Sequence, residues 1–299
     1  MIDIMLPFYG DAALLRQAVE SVLAQSDPRW RLHVVDDCYP DPGAAAWVAA
    51  IADPRVTFER NERNLGVSAN FARCLATATA DHVVFLGCDD VMAPTYVADV
   101  SAAIETHPQA AVITPRVRVI DRDGAPARTP ADRVKAVLTP RRSPDGSAVV
   151  LGGEALAGSL MHGDWLYFPA ITWRRELIAA ASFRTDMETV LDLALLMDLV
   201  LDGHRFVLLD TASFSYRRHG ESASSVSART TRRFDEEAQL FSEVATACLR
   251  RGWTRAARAA RLHATSRIHA AVLVPAALRS RDRTAAGALI RHATRSASR

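Results

Sequence analysis

Residues 85–94 read F-L-G-C-D-D-V-M-A-P, an apolar run that stops at the adjacent carboxylates Asp89 and Asp90. The run starts at His82, and its apolar content predicts a buried strand over 82–86. Two acids where such a strand ends can hold a divalent cation, because hard carboxylate oxygens are the ligands those ions take. Asp at a strand end also serves local hydrogen bonding, so the pair gains its meaning from what precedes it. The chain opens with an apolar run that includes Pro7 and Tyr9 in L-P-F-Y, gives V-V-D-D at 34–37, and then R-N-L-G-V at 63–67. Strands are predicted over 1–6, 32–35, 56–60 and 110–114. Between them, Leu14, Leu15, Ala18, Val19, Val22 and Leu23 recur at helical spacing within 11–25, and further helices are expected over 44–51, 68–78 with Ser68 as N-cap, and 94–107. This alternation is the pattern of parallel strands joined by crossover helices. Open parallel sheets bind ligands beyond the carboxyl ends of their strands, and Pro7, Asp37 and Asp89/Asp90 all fall at such ends.

Over 116–150 the periodicity gives way to Arg, Asp, Pro and Gly, which predicts a long excursion or lid. Regular structure is expected to resume over 153–160, followed by the segment G-D-W-L-Y-F-P-A-I-T-W-R-R-E at 163–176. An apolar helix over 190–201 carries Asp192 and Asp198 and closes at Gly203. A strand over 205–209 precedes F-S-Y-R-R-H-G-E at 214–221, after which the pattern is helical, broken near Gly252, Pro275 and Ser280.

The order of L-P-F-Y, D-D, N-L-G and C-D-D resembles the family 2 glycosyltransferases of the GT-A fold. The resemblance implies an α/β, Rossmann-like, mostly parallel sheet flanked by helices, with a helical C-terminal appendage. Residues 1–115 would be the nucleotide-sugar half, 116–230 the acceptor and catalytic-base half, and 231–299 a basic helical region. By resemblance, Asp37 accepts the imide N–H of a uracil ring, Pro7, Tyr9, Asn64 and Gly66 line the nucleotide pocket, and Asp89 lies near the ribose. Asp90 holds Mn²⁺ or Mg²⁺, with Asp89 as a second candidate, although Cys88 stands where the family's motif carries another acid. Arg73, Arg217 and Arg218 are expected on the diphosphate, and His219, from Y-R-R-H, on the metal or phosphate. The family places its base eleven residues before the glycine that ends a helix, which selects Asp192 ahead of Gly203, with Glu188 one turn away as the fallback. The reaction implied is a single displacement with inversion, in which the base takes the acceptor proton. Trp165, Tyr167 and Trp173 either stack on a sugar or fill the core.

Composition bounds the rest. The chain has 299 residues and a formal charge of +2, but 251–299 holds eleven Arg and one Asp, a local net of +10 that leaves −8 upstream. Leu262, Ile268, Val272 and Leu273 are expected to share one helix surface, with Arg255, Arg258, Arg261 and Arg267 on others. Such a helix packs on the catalytic domain, joins a second copy, or lies on an anionic membrane, the first two being favoured because alanine dominates the stripe. Lys135 is the single lysine. Cys38, Cys74, Cys88 and Cys248 have neither disulfide nor zinc spacing, and with no leader-like or membrane-spanning run a cytoplasmic setting is expected. A nucleotide-sugar donor and an unidentified acceptor are the expected partners, and nucleic acid is not. Two rivals share the crevice: a nucleotidyltransferase, disfavoured because 7–13 has one glycine and no lysine or arginine, and a non-catalytic sugar-nucleotide-binding scaffold.

Overall fold

A computed structural model describes residues 1–141, 143–181, 187, 189–218 and 232–294. In chain order the strands are β1 (Ile2–Phe8), β2 (Trp30–Asp36), β3 (Val56–Arg60), β4 (His82–Phe85), β5 (Val91–Met92), β6 (Ala110–Thr114), β7 (Val117–Ile120), β8 (Val149–Leu151), β9 (Thr172–Arg174), β10 (Arg205–Leu208) and β11 (Phe214–Arg217). The first helices are α1 (Ala12–Leu23), α2 (Pro42–Ala49), α3 (Val67–Thr77), α4 (Tyr96–Thr106), α5 (Pro130–Leu138) and α6 (Gly153–His162). Then come α7 (Arg175–Ala181), α8 (Leu191–Leu201), α9 (Arg232–Arg250), α10 (Thr254–Leu262), α11 (Ala264–Arg279) and α12 (Arg283–Thr294).

The main sheet has the order β3-β2-β1-β4-β9-β6-β10-β8. β3, β2, β1 and β4 run parallel, as do β6 and β10, while β9 lies antiparallel between β4 and β6 and β8 is antiparallel to β10. The apolar run of β1, interrupted by Asp3, follows from burial on both faces. Ile2, Ile4, Leu6 and Phe8 pack with Leu15, Val19 and Val22 of α1, Val48 of α2 and Val97 and Val100 of α4. Met5 points the other way, into a core shared with Cys74 of α3, Leu156 and Leu160 of α6 and Leu196 and Val200 of α8. Asp3, on that second face, is a buried strand acid kept by its partners: Arg31 Nε at 2.8 Å and the amides of Thr79 and Ala80, each at 2.7 Å. Burial alone would push its carboxyl up, but these bonds and the His33 side chain hold it well below the usual range.

Two expectations change and one open alternative is decided. The α3 helix begins at Val67 with Gly66 as its N-cap, in place of Ser68, because Asp37 and Asn64 rather than a hydroxyl take the Gly66 amide. Gly66 has φ +83°, a conformation that favours glycine. The 116–150 excursion is structured: β7 pairs with β11, which also pairs with β5 in a second, three-stranded sheet, α5 is closed by a Thr129–Asp132 capping box, and β8 edges the main sheet. Trp165 and Trp173 are core residues, 3% and 0% exposed, which leaves them no sugar face to stack on.

The tail packs through alanine. Ala256, Ala257, Ala259 and Ala260 of α10 are buried, and a Cβ on Gly158 of α6 would meet the Ala256 Cα at 3.7 Å, so the two helices approach closely. Leu262, Ile268 and Val272 stay exposed, whereas Leu273 joins a small cluster with Phe234, Ala270 and Leu289, so the four do not form one buried stripe. Small side chains win the interface because only they allow this approach. No described helix is long and apolar enough to cross a membrane. Ala256→Leu, which overfills that contact, is expected to destabilise the protein by about 1–3 kcal/mol. Val272→Ser, at an exposed position, should change stability by less than about 0.5 kcal/mol in the same denaturant titrations.

Candidate active site

The turn after β4 holds the acid pair. Asp90 N donates to Gly87 O at 3.1 Å, folding the Asp90 side chain back under the strand end, where it is 1% exposed. Its Oδ1 accepts the Arg217 amide at 2.8 Å, and its Oδ2 is buried with no hydrogen-bond partner among the described residues. Gly87 makes the room: a Cβ there would stand 2.5 Å from Asp90 Oδ2. Burial, and the charge of Asp89 beside it, push the Asp90 carboxyl well above the usual range. A buried carboxylate oxygen without a donor is costly, and a divalent cation removes that cost and reverses the shift, so the residues present fit a cation. Among the described residues no group of three His, Cys, Asp or Glu side chains is arranged as a metal cage, and His219 lies outside those residues.

At the end of β2, Asp37 is buried and inward-facing. Its Oδ1 accepts Asn61 Nδ2 at 2.7 Å and Leu65 N at 2.8 Å, and its Oδ2 accepts Gly66 N at 2.9 Å. Asn61 Nδ2 also donates to Asn70 Oδ1, and Asn70 Nδ2 reaches Val35 O, so the loop after β3 is tied to β2 by one polar chain. Three of a carboxylate's four lone-pair positions are thereby used. Asn64 is exposed and bonds the Gly66 amide locally. Pro7 pairs with Val35 across β1 and β2, and Asp37 N donates to Phe8 O, which brings these strand ends together. Tyr9, 52% exposed, meets Tyr39 edge-on at 5.3 Å.

All three expected phosphate arginines are engaged elsewhere. Arg73 pairs with Glu59 at 2.9 Å on an exposed helix face. Arg217 is 1% exposed: Nε donates to Asp89 O, Nη1 to Asp121 O and Arg122 O, and Nη2 to Gln17 Oε1. Arg218 donates through Nη2 to Asp132 Oδ1 at 2.8 Å and lies over the Tyr216 ring. A guanidinium that can bind phosphate can equally satisfy buried carbonyls or a carboxylate, and here it does.

Arg218 opens onto the other side of the site. Asp132 Oδ1 also accepts Tyr167 Oη at 3.0 Å, and Lys135 Nζ sits 4.8 Å from the centre of the Tyr167 ring. Lys135 donates to Leu166 O and stands 3.5 Å from Asp164 Oδ2. Asp192, in the first turn of α8, is electrostatically linked to this pair. It is enclosed by protein yet keeps part of its surface accessible. Burial and the Asp164 charge push its carboxyl up to about 6, against an opposing pull from Lys135. Glu188 falls outside the described residues. No motif marks Asp132, Lys135 or Asp164; the T-P-A-D at 129–132 is the signal that could have found the first, as the start of a capped helix.

The site therefore joins two chemistries, a cation-ready acid at a strand end and a carboxyl with the proton affinity of a base that works near neutral pH. Comparison with known proteins gives the frame. Residues 3–155 match the family described as glycosyl transferase family 2. The Mycobacterium tuberculosis protein MT1568 is 27% identical over 239 residues, 78% of this chain and 72% of that protein. The succinoglycan biosynthesis protein ExoO of Rhizobium meliloti is 36% identical over 86 residues, 29% of this chain and 24% of that protein. Among solved structures, S. aureus TarS 1-349 in complex with UDP-GlcNAc superposes with TM-score 0.64 at 18% identity, over 81% of this chain and 66% of that one. The same fragment in complex with UDP gives TM-score 0.61 at 16% identity over 98% and 81%. With a family match over half its length and the GT-A arrangement of strands and helices, the chain belongs to glycosyl transferase family 2.

Proposed function

We propose that the protein moves a sugar from a UDP-linked donor to an acceptor hydroxyl by one in-line displacement with inversion, with Asp192 as general base and a divalent cation held at Asp90. The observation that carries this reading is the Asp192 carboxyl, raised to about 6 in a partly accessible position. Inversion needs a base on the face opposite the leaving group, ionised at working pH and basic enough to take a proton as the hydroxyl attacks. A carboxyl near 6 meets both demands at pH 7.

On the donor side, the orphaned Asp90 Oδ2, backed by Asp89, supports Mn²⁺ or Mg²⁺ as cofactor. Such an ion neutralises charge on a leaving diphosphate. Since Arg73, Arg217 and Arg218 are each paired with protein groups, that charge falls chiefly to the cation among the described residues. Arg217 would serve it indirectly, because its amide occupies Asp90 Oδ1 and leaves Oδ2 as the oxygen that would hold the ion. The open lone pair of Asp37 suits the one N–H that uracil offers, and Tyr9 and Tyr39 give an aromatic edge for the ring. The S. aureus neighbour solved with UDP and with UDP-GlcNAc supports the choice of base. Asp192 then takes the acceptor proton, and Arg218, Asp132 and Tyr167 hold the excursion that walls that side.

Two measurements bear on the reading. If ionised Asp192 is the base, turnover should fall about tenfold per unit as pH drops below about 6, where the carboxyl protonates, and level off above it. Asp192→Asn should remove that limb and cut turnover by roughly 10²- to 10⁴-fold with donor affinity nearly unchanged. A flat wild-type profile down to pH 5 would reject Asp192.

For the cation, Asp90→Asn should abolish Mn²⁺-dependent release of UDP while the metal-free protein melts no lower than wild type, because Asn keeps an acceptor for the Arg217 amide and carries no charge beside Asp89. Wild-type activity persisting in excess chelator would exclude the metal.

A further inference from the structure

Helix α11 wears its apolar residues on the outside. On the inner side Ser266 is buried, donating to Glu237 of α9 and meeting His292 Nε2 of α12 at 2.7 Å, while Ala270, Leu273, Val274 and Ala277 pack with Phe234 and Leu289. The side turned to solvent carries Ala264, Ile268, Ala271, Val272, Pro275 and Ala276, all exposed, with Ile268 at 63% and Val272 at 68%. At 3.6 residues per turn these positions fall within one arc, so they make a single face rather than scattered points. The first charged side chain on that face is Arg279, at its very end. Lone apolar residues on a surface are ordinary, but an uninterrupted apolar face marks a place that something covers. The alanine packing expected of the tail thus holds for α10 and for the inner side of α11, and leaves the outer side without a partner.

The charge beside the face selects the partner. Leu278 lines a groove of about 430 Å³ together with Arg281 and Arg283, just past the helix end. All three arginines there are exposed: Arg279 Nε donates to Pro275 O at 3.2 Å, and neither Arg281 nor Arg283 has a carboxylate partner among the described residues. Asp282, the one acid of 251–299, accepts the Ala285 amide through Oδ1 at 2.9 Å, at the start of α12. We infer that the outer face of α11, with Arg279, Arg281 and Arg283, docks the protein reversibly on a lipid bilayer that contains anionic phospholipid. The apolar arc enters the boundary between headgroups and acyl chains, and the guanidinium groups meet phosphate oxygens beside it. Nucleic acid offers the phosphates but no apolar surface for Ile268 and Val272. A second copy joined by a two-fold axis would bring arginine against arginine. The attachment is peripheral, since no described helix is long and apolar enough to cross a membrane. This inference is independent of the roles given to Asp90 and Asp192.

The test is sedimentation of the full chain with phosphatidylcholine vesicles made with and without phosphatidylglycerol. The wild type should sediment with the anionic vesicles, less so as salt is raised, and stay in solution with the neutral ones. Ile268→Ser with Val272→Ser should weaken binding by about tenfold or more. Arg281→Ser with Arg283→Ser should weaken it by roughly fivefold for each arginine removed. Both pairs lie on the surface, so these variants should melt with the wild type and release UDP at its rate. Should the first pair fail to fold, Ile268→Ala with Val272→Ala replaces it. No binding of the wild type to anionic vesicles overturns the inference, and equal binding to neutral ones removes the role of the arginines. Binding that survives loss of Ile268 and Val272 but not of the arginines would be charge attraction alone and would reject the face. A lipid-free dimer that Ile268→Ser with Val272→Ser turns into a monomer would assign the face to a second copy instead.

Discussion

One buried guanidinium holds the site together. Arg217 sits at the end of β11, and its four side-chain hydrogen bonds reach the acid loop at Asp89, the end of β7 at Asp121 and Arg122, and Gln17 on α1. A charge in that position is tolerable only because every direction ends on an oxygen. Its amide meanwhile fixes Asp90, and the next residue, Arg218, fixes Asp132. Two consecutive arginines therefore couple Asp90 to Asp132 at the start of α5. The small sheet exists to present them, since β11 pairs with β5, which follows the acid loop, and with β7, which begins the excursion.

The direction of each carboxyl's shift separates scaffolding from chemistry. At Asp3 and Asp132 burial acts to raise the carboxyl, but donors outnumber that penalty and both lie below the usual range. Their ionised forms stabilise the fold above the unfolded carboxylate range, and that contribution is lost as pH falls through their lowered values. Asp90 and Asp192 go the other way: each is enclosed, each has a neighbouring acid, and each lacks donors enough to offset them. The fold bears a cost wherever either carboxyl ionises, and groups held in that condition cluster where chemistry is done.

Much of this was legible in the sequence, for identifiable reasons. Strands buried on both faces read as near-continuous apolar runs, so β1, β4 and β6 could be placed within a few residues, and the acids at strand ends followed from the parallel arrangement. The family resemblance selected Asp192 by its spacing to Gly203, and Gly203 follows α8 in the left-handed conformation as a helix end requires, φ +87°. The arginines were not legible, because residue type does not distinguish a guanidinium that meets phosphate from one that meets buried carbonyls. Asp37 was half legible: its position was clear, but its service to Asn61, Leu65 and Gly66 depends on a loop conformation that the sequence does not state. The Lys135–Asp164 pair was invisible, since its members are 29 residues apart and joined only by tertiary packing.

The two halves of the site are also fixed by different kinds of bond, with a consequence for how such an enzyme changes partners. On the donor side, Asp37 and Asp90 are held largely by backbone amides, those of Leu65, Gly66 and Arg217. Such contacts survive most substitutions in the donating residue, since every amino acid but proline brings the same amide. On the acceptor side, Asp132, Lys135, Asp164, Tyr167 and Arg218 hold one another mainly through side chains, on an excursion outside the parallel core. Exchanging one of them reshapes the wall without disturbing β1, β2 or β4. On the proposed reading, a scaffold built this way would keep its donor chemistry fixed by the backbone and leave acceptor selection to side chains that can be replaced, with Asp192 in the first turn of α8.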